Sequence, residues 1–210
     1  MIVSLNEVET TILKAARGAG MTWGLAEEAA QAARWLAARR LPFEALFPAL
    51  LEAGPWRAEI EFVGGVLKPR VAGAYLCPIR AGAFLSDAGA AFPIKCEKLS
   101  LPLLLAPFVA RRDERVNLRW RETILRFDHG DLMAPFDATA GFAIAGTEMV
   151  AVCAGDARDQ GAEFVVPKDG GVAIDAGAWA KLQSFEARVY VPASLESRLS
   201  GAGAALDDND

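Results

Sequence analysis

Apolar residues recur at helical spacing through the first 54 positions of the chain. Ser4 and Glu7 form an S-x-x-E capping box, with Val3 and Val8 at the two ends of a hydrophobic staple around it. Leu5, Val8, Ile12 and Ala15 then fall on one stripe, which predicts a helix to about Arg17, stopped by Gly18 and Gly20. Thr22 is placed to cap a second helix to about Arg40, with Leu25, Ala29, Ala32 and Leu36 on one face. Its many alanines allow a neighbouring backbone to come close. Trp35 lies off that face and requires another partner, from the β region or from another subunit. Phe43, Leu46, Phe47, Leu50 and Leu51 continue the helical spacing, but Pro48 interrupts it. Two short helical pieces are expected, the second starting near Pro48.

After Pro55 the period changes. In "AEIEFVGG" polar and apolar residues alternate, with Ile60 and Phe62 on one side and Val63 at the end, as in a strand. Further strand candidates are 71–77, 103–110, 115–120, 123–128, 141–145, 147–154, 162–166 and 185–191. In "VNLRWRETILRF" the apolar side switches parity: Val116, Leu118 and Trp120 take one face, Leu125 and Phe127 the other. A turn or bulge must lie near Arg121 and Glu122. The absence of glycine there argues against a two-residue primed turn. "DAGAWAKLQSF" reads as a short helix before a strand "EARVYV", and Ser194 as the cap of a last helical turn ended by Gly201. Helices come first and strands later, so the expected class is α+β, with N-terminal helices (about 4–53) on a largely antiparallel sheet region (about 57–191). One domain over 1–210 is expected, with a helical segment 1–54, a β-rich segment 55–192 and a tail 193–210.

Composition narrows the class. A chain of 210 residues, 53% of them hydrophobic, can bury a sizeable core. A net charge of −5 argues against nucleic-acid binding, which usually needs a basic surface. Cys77, Cys96 and Cys153 are scattered and odd in number, without a CxxC pair, so no zinc site is expected. Reduced thiols in a cytoplasmic protein are the simplest reading. The start "MIVSLNEVET" has no secretion signal. The longest apolar run, Leu99 to Ala110, is too short to span a bilayer and carries two prolines. A soluble chain without membrane association is expected.

Candidate chemistry is sparse. Arg111, Arg112, Arg115, Arg119, Arg121 and Arg126 crowd one segment, only partly offset by Asp113, Glu114, Glu122 and Asp128. Such a segment makes either an anion pocket, with Arg119, Arg121 and Arg126 as its ligands, or a solvated strand face. Arg17, in "RGAG", is either beside backbone N–H groups that cradle an anion or at a plain helix C-cap. His129, between Asp128 and Asp131, is either a general base oriented by a carboxylate or a turn histidine before Gly130. Ser197 and Arg198 could hold a phosphate at a helix end, although the lysine of a phosphate loop is missing. The acidic end, Asp207, Asp208, Asn209 and Asp210, is free in solvent, docked on arginines or bound to a cation. Cys77 and Cys153 are expected to be buried, inert thiols. No cofactor is indicated.

The stretches "SLNEVETTILKAARGAGMTWGLAEEAAQAARWLA" and "VYVPASLESRLSGAGAALDDND" resemble a family of uncharacterised bacterial proteins known only as a domain of unknown function. The resemblance covers nearly the whole chain and implies a soluble bacterial protein. It brings no activity, cofactor or catalytic residue with it. The residues themselves favour a non-catalytic protein: a small-anion binder or an accessory subunit, associating with itself or with a partner subunit. The alternative is a hydrolase or lyase acting on a small acidic metabolite, with His129, Asp128 and Asp131 at its centre.

Overall fold

A computed structural model describes residues 1–87, 92–137, 139–155 and 163–190. The acidic end, the helical turn expected at Ser194, and Ser197 and Arg198 lie outside the described residues.

The chain begins with a two-residue strand, β1 (Ile2–Val3), and helix α1 (Leu5–Gly18). The capping box forms as expected: the Glu7 N–H donates to Ser4 Oγ at 3.1 Å, and the Ser4 N–H donates to Glu7 Oε2 at 2.7 Å. Helix α2 (Trp23–Ala38) packs against α1. Its alanines are buried on more than the one expected face, because α4 (Pro78–Asp87) and α5 (Ala106–Val109) cover its other side. Trp35 finds its partner in the β region of the same chain: its ring centroid lies 6.4 Å from that of Phe127, and the Arg39 guanidinium sits over it at 4.1 Å.

Helix α3 (Leu46–Ala53) is one piece, not two. Pro48 falls in its first turn, where a missing N–H breaks no helical bond. The residues before it form a turn in which the Phe43 carbonyl accepts from the N–H groups of Leu46 and Phe47, both at 3.1 Å. Gly54, at φ 64°, ends α3 in the left-handed conformation that favours glycine.

The strands β2 (Ile60–Val63), β3 (Val66–Pro69), β4 (Ile94–Ser100), β5 (Val116–Trp120), β6 (Thr123–Asp128), β7 (Asp131–Asp137), β8 (Gly146–Ala154) and β9 (Glu163–Phe164) form one sheet in the order β2-β3-β4-β8-β5-β6-β7-β9. Among the strand pairs of the described residues, only β3–β4 is parallel. Strand β10 (Val172–Ala173) pairs antiparallel with β1, and helix α6 (Ala176–Glu186) follows it and packs on α1. The architecture is α+β, with N-terminal helices followed by a mostly antiparallel mixed sheet. The side chains between helices and sheet form one hydrophobic cluster. Among the described residues, no helix is long and apolar enough to cross a membrane.

Several expected strands are not strands. Residues 103–110 lie in a 3₁₀ turn (Pro102–Leu105) and in α5. Pro102 and Pro107 sit at helical first or second positions, where their missing N–H is tolerated, whereas in a strand each would remove a ladder bond. The apolar run there is continuous because this segment is buried on all sides. Residues 71–77 are loop, apart from one bridge at Leu76. Residues 141–145 overlap a 3₁₀ turn (Thr139–Ala143). In 185–191, α6 ends at Glu186 and a 3₁₀ turn (Ala187–Val189) follows. Of 162–166, only Glu163 and Phe164 form a strand among the described residues.

Candidate functional site

The arginine segment is organised by the β5–β6 hairpin. Its register pairs Leu118 with Leu125, Val116 with Phe127 and Trp120 with Thr123. Odd and even positions oppose one another across this turn, so the parity switch in the sequence puts all these side chains on the same core face. Contrary to the sequence expectation, a two-residue turn without glycine closes the hairpin. Arg121 occupies its first position at φ 48°, a left-handed conformation that costs a non-glycine residue energy.

The opposite face of the hairpin carries the remaining arginines. Arg119 opposes Ile124 and Arg126 opposes Asn117, which makes Arg119 and Arg126 diagonal neighbours across two strands. Diagonal side chains of this kind lie about 7–8 Å apart at their bases, within reach of one ligand. Arg115 shares that face and donates through Nε to Asp128 at 2.8 Å. Asn117 is 3% exposed and lies between the arginines. The register places Ala151 beside Arg119, Cys153 beside Asn117 and Met133 beside Arg126.

Arg111 and Arg112 serve the fold instead. Arg111 donates to Glu28 at 2.6 Å and to Gln31 at 3.0 Å, tying the end of α5 to α2. Arg112 donates to the Leu85 carbonyl at 3.4 Å and to Glu114 at 3.3 Å, and it lies 4.4 Å over the Phe92 ring. Arg17 does not stand beside a backbone cradle. Its guanidinium donates to the Met21 carbonyl, and the N–H groups of Ala19, Gly20 and Met21 donate to the carbonyls of Ala15, Arg17 and Ala16. Those donors are spent on ending the helix, so the C-cap reading holds at this position.

His129 and Gly130 form the two-residue turn between β6 and β7, at φ 48° and 90°. Gly130 is required: a methyl there would lie 2.8 Å from the Ala110 carbonyl oxygen, so the turn rests directly on the end of α5. The turn brings His129 Nδ1 to 3.0 Å from Asp113 Oδ1 and Nε2 to 3.9 Å from Asp128 Oδ1. The imidazole is 61% exposed and Asp113 93%. Asp131 opposes Asp128 across this turn; burial lowers the Arg39 pKa, and the charge of Asp131 partly offsets that. Asp113, the carboxylate nearest the ring, was not expected, because only the fold of the α5–β5 connection brings it to the hairpin.

Among the described residues, no group of three or more His, Cys, Asp or Glu could hold a metal ion. Burial pushes the Cys77 thiol up to about 11 and the Cys96 thiol up to about 12, so both stay protonated and unreactive near neutrality. Cys153 is half-buried on the arginine face, and its Sγ lies 3.7 Å from the Asn117 carbonyl.

The chain matches no curated protein and no solved structure at a significant level. Residues 3–83, from β1 into α4, match the model of the family described as Protein of unknown function (DUF3726), a family to which no activity is attached.

Proposed function

We propose that the protein is a non-catalytic cytoplasmic binder or accessory subunit that takes a small anionic ligand on the outer face of the β5–β6 hairpin. One observation carries this reading: Arg119 and Arg126 are in diagonal register on the same face, with Arg121 at the hairpin tip. A guanidinium has five N–H donors in a planar fork, so one already bonded within the chain retains donors for a carboxylate or phosphate. Thermal-shift titration with inorganic phosphate and with citrate tests it. Stabilisation should rise with anion concentration by mass action on the folded state. It should be lost in an Arg119→Ala/Arg126→Ala variant that keeps its fold. Equal stabilisation of the variant and the wild type removes the reading.

A second reading, hydrolysis or lyase chemistry on a small acidic metabolite, is favoured by the 3.0 Å contact between His129 and Asp113. It is the weaker of the two, because an exposed hairpin turn offers no wall that excludes water from a reacting group. Turnover abolished in a folded His129→Ala variant would support it, and full activity in that variant would end it. Light scattering at several concentrations tests self-association: a mass that rises with concentration supports the subunit reading.

A further inference from the structure

We infer that a cavity between the end of α3 and the adjoining ends of β4 and β8 binds a small apolar carboxylate, with Arg57 as its counter-ion. The cavity, open to solvent on one side, has a volume of about 520 Å³, within the ordinary range for small-molecule sites. Its walls are mostly small and apolar, with Ala58, Ala74 and Gly146 among them, and its polar groups are Arg57, Tyr75 and Ser100. None of these belongs to the arginine face of the β5–β6 hairpin, so this site is independent of the function proposed above.

Two glycines shape the space. A methyl on Gly146 would lie 2.7 Å from Cε1 of Tyr75, so the phenol ring occupies its position only because residue 146 has no side chain. A methyl on Gly54 would collide with Nη1 of Arg57, so the guanidinium is folded over the glycine that ends α3.

The charge of Arg57 is the second observation. Among the described residues its side-chain partner is the ring of Trp56, 5.2 Å from the guanidinium carbon. No carboxylate among the described residues pairs with it, unlike Arg34, Arg70, Arg111 and Arg115, each of which holds an acidic partner. An arginine without a carboxylate partner among the described residues, at an apolar cavity, matches a ligand with one carboxylate and a hydrophobic body. Ser100 is 8% exposed and donates to the Leu76 carbonyl, which leaves its oxygen as an acceptor only. That arrangement disfavours a second anionic group at the inner end. Tyr75, 47% exposed at the wall, supplies an aromatic face for the apolar body.

Calorimetric titration of the full chain with benzoate, benzamide and inorganic phosphate tests this. Benzoate should bind the wild type and the Arg119→Ala/Arg126→Ala variant alike. Benzamide, which keeps the ring and loses the charge, should bind at least about tenfold more weakly, as should benzoate to Arg57→Gln, since each loses a charge-assisted pair. Ala74→Leu, which places a larger side chain in the cavity wall, should weaken benzoate while leaving the melting curve in place. The inference fails if benzoate does not bind, if benzamide binds as well as benzoate, if phosphate binds the Arg119→Ala/Arg126→Ala variant as well as benzoate does, or if a folded Arg57→Gln retains wild-type affinity. Loss of benzoate binding in the Arg119→Ala/Arg126→Ala variant alone would move the site to the hairpin face.

Discussion

Replacing Gly82 by alanine pits two well-measured effects against each other. In an isolated helix the change is favourable by about 1 kcal/mol, because glycine loses more backbone entropy on folding. In this protein Gly82 is buried in α4 and faces Phe108 of α5, which is fully buried. A methyl built on Gly82 would overlap Cγ and Cδ2 of that ring and lie 2.7 Å from Cδ1. Carbon atoms in contact sit about 3.5–4.0 Å apart, so the ring or the helix must retreat by more than about 1 Å. The ring has little room to do so. It is held within the core cluster and stacked under Arg111 at 4.9 Å, and Arg111 is itself fixed to Glu28 on α2. Overpacking of this kind costs about 1–3 kcal/mol, and contact with three ring atoms puts it in the upper part of that range. The net expectation is a loss of about 1–2 kcal/mol, which for a chain of this size lowers the melting temperature by about 2–8 °C. Thermal denaturation followed by far-ultraviolet circular dichroism measures it. Adding Phe108→Leu to Gly82→Ala should cost less than the sum of the two single changes, because the smaller side chain makes room for the methyl. A Gly82→Ala protein that melts at or above the wild-type temperature would refute the close approach of α4 and α5.

Other expectations follow from single contacts. Ser4→Ala removes the cap of α1 and should cost about 1 kcal/mol in denaturant unfolding near neutral pH. Glu7 is held below its ordinary 4.5 first by the Ser4 backbone N–H and then by the Ser4 side chain. A depressed folded-state value contributes stability above the unfolded one that is lost as pH falls through the folded one, so the difference between Glu7→Gln and wild type should shrink below about pH 4.5. Trp35→Ala should destabilise the fold by about 2 kcal/mol without changing the mass in solution, since its partners Phe127 and Arg39 lie in its own chain. A change in mass would place Trp35 at a subunit contact instead. In the native protein at pH 8, Cys77 and Cys96 should resist iodoacetamide and react only after denaturation; prompt labelling of either would contradict their burial.

What the sequence determined by itself is local. The capping box at Ser4, the apolar stripe of α1, the helix stop at Gly18 and Gly20, the strand at Ile60–Val63 and the two strands of the β5–β6 hairpin depend on neighbours within a few positions, and all were legible there. The parity switch around Arg121 was visible too, yet its meaning was not. It marks a tight two-residue hairpin, and whether a non-glycine residue accepts a left-handed turn is settled by the gain from pairing the strands on either side.

The tertiary structure decided whatever depends on burial from several sides or on pairing across the chain. The run 102–109 is apolar on every side because helices and sheet surround it, and a pattern without period cannot distinguish helix from strand. Strands β3 and β4 are too short or too mixed in polarity to be recognised alone, and their parallel pairing exists only once α4 has crossed between them. The same holds for the candidate sites. The sequence counts the arginines, but only strand register puts Arg119 and Arg126 on one face, only the end of α5 brings Asp113 to His129, and only the meeting of α3 with β4 and β8 leaves Arg57 beside a cavity. The reason is physical: local propensity acts over a turn or a pair of strands, whereas a binding site is a meeting of side chains far apart in the chain, and it appears only when the core has closed.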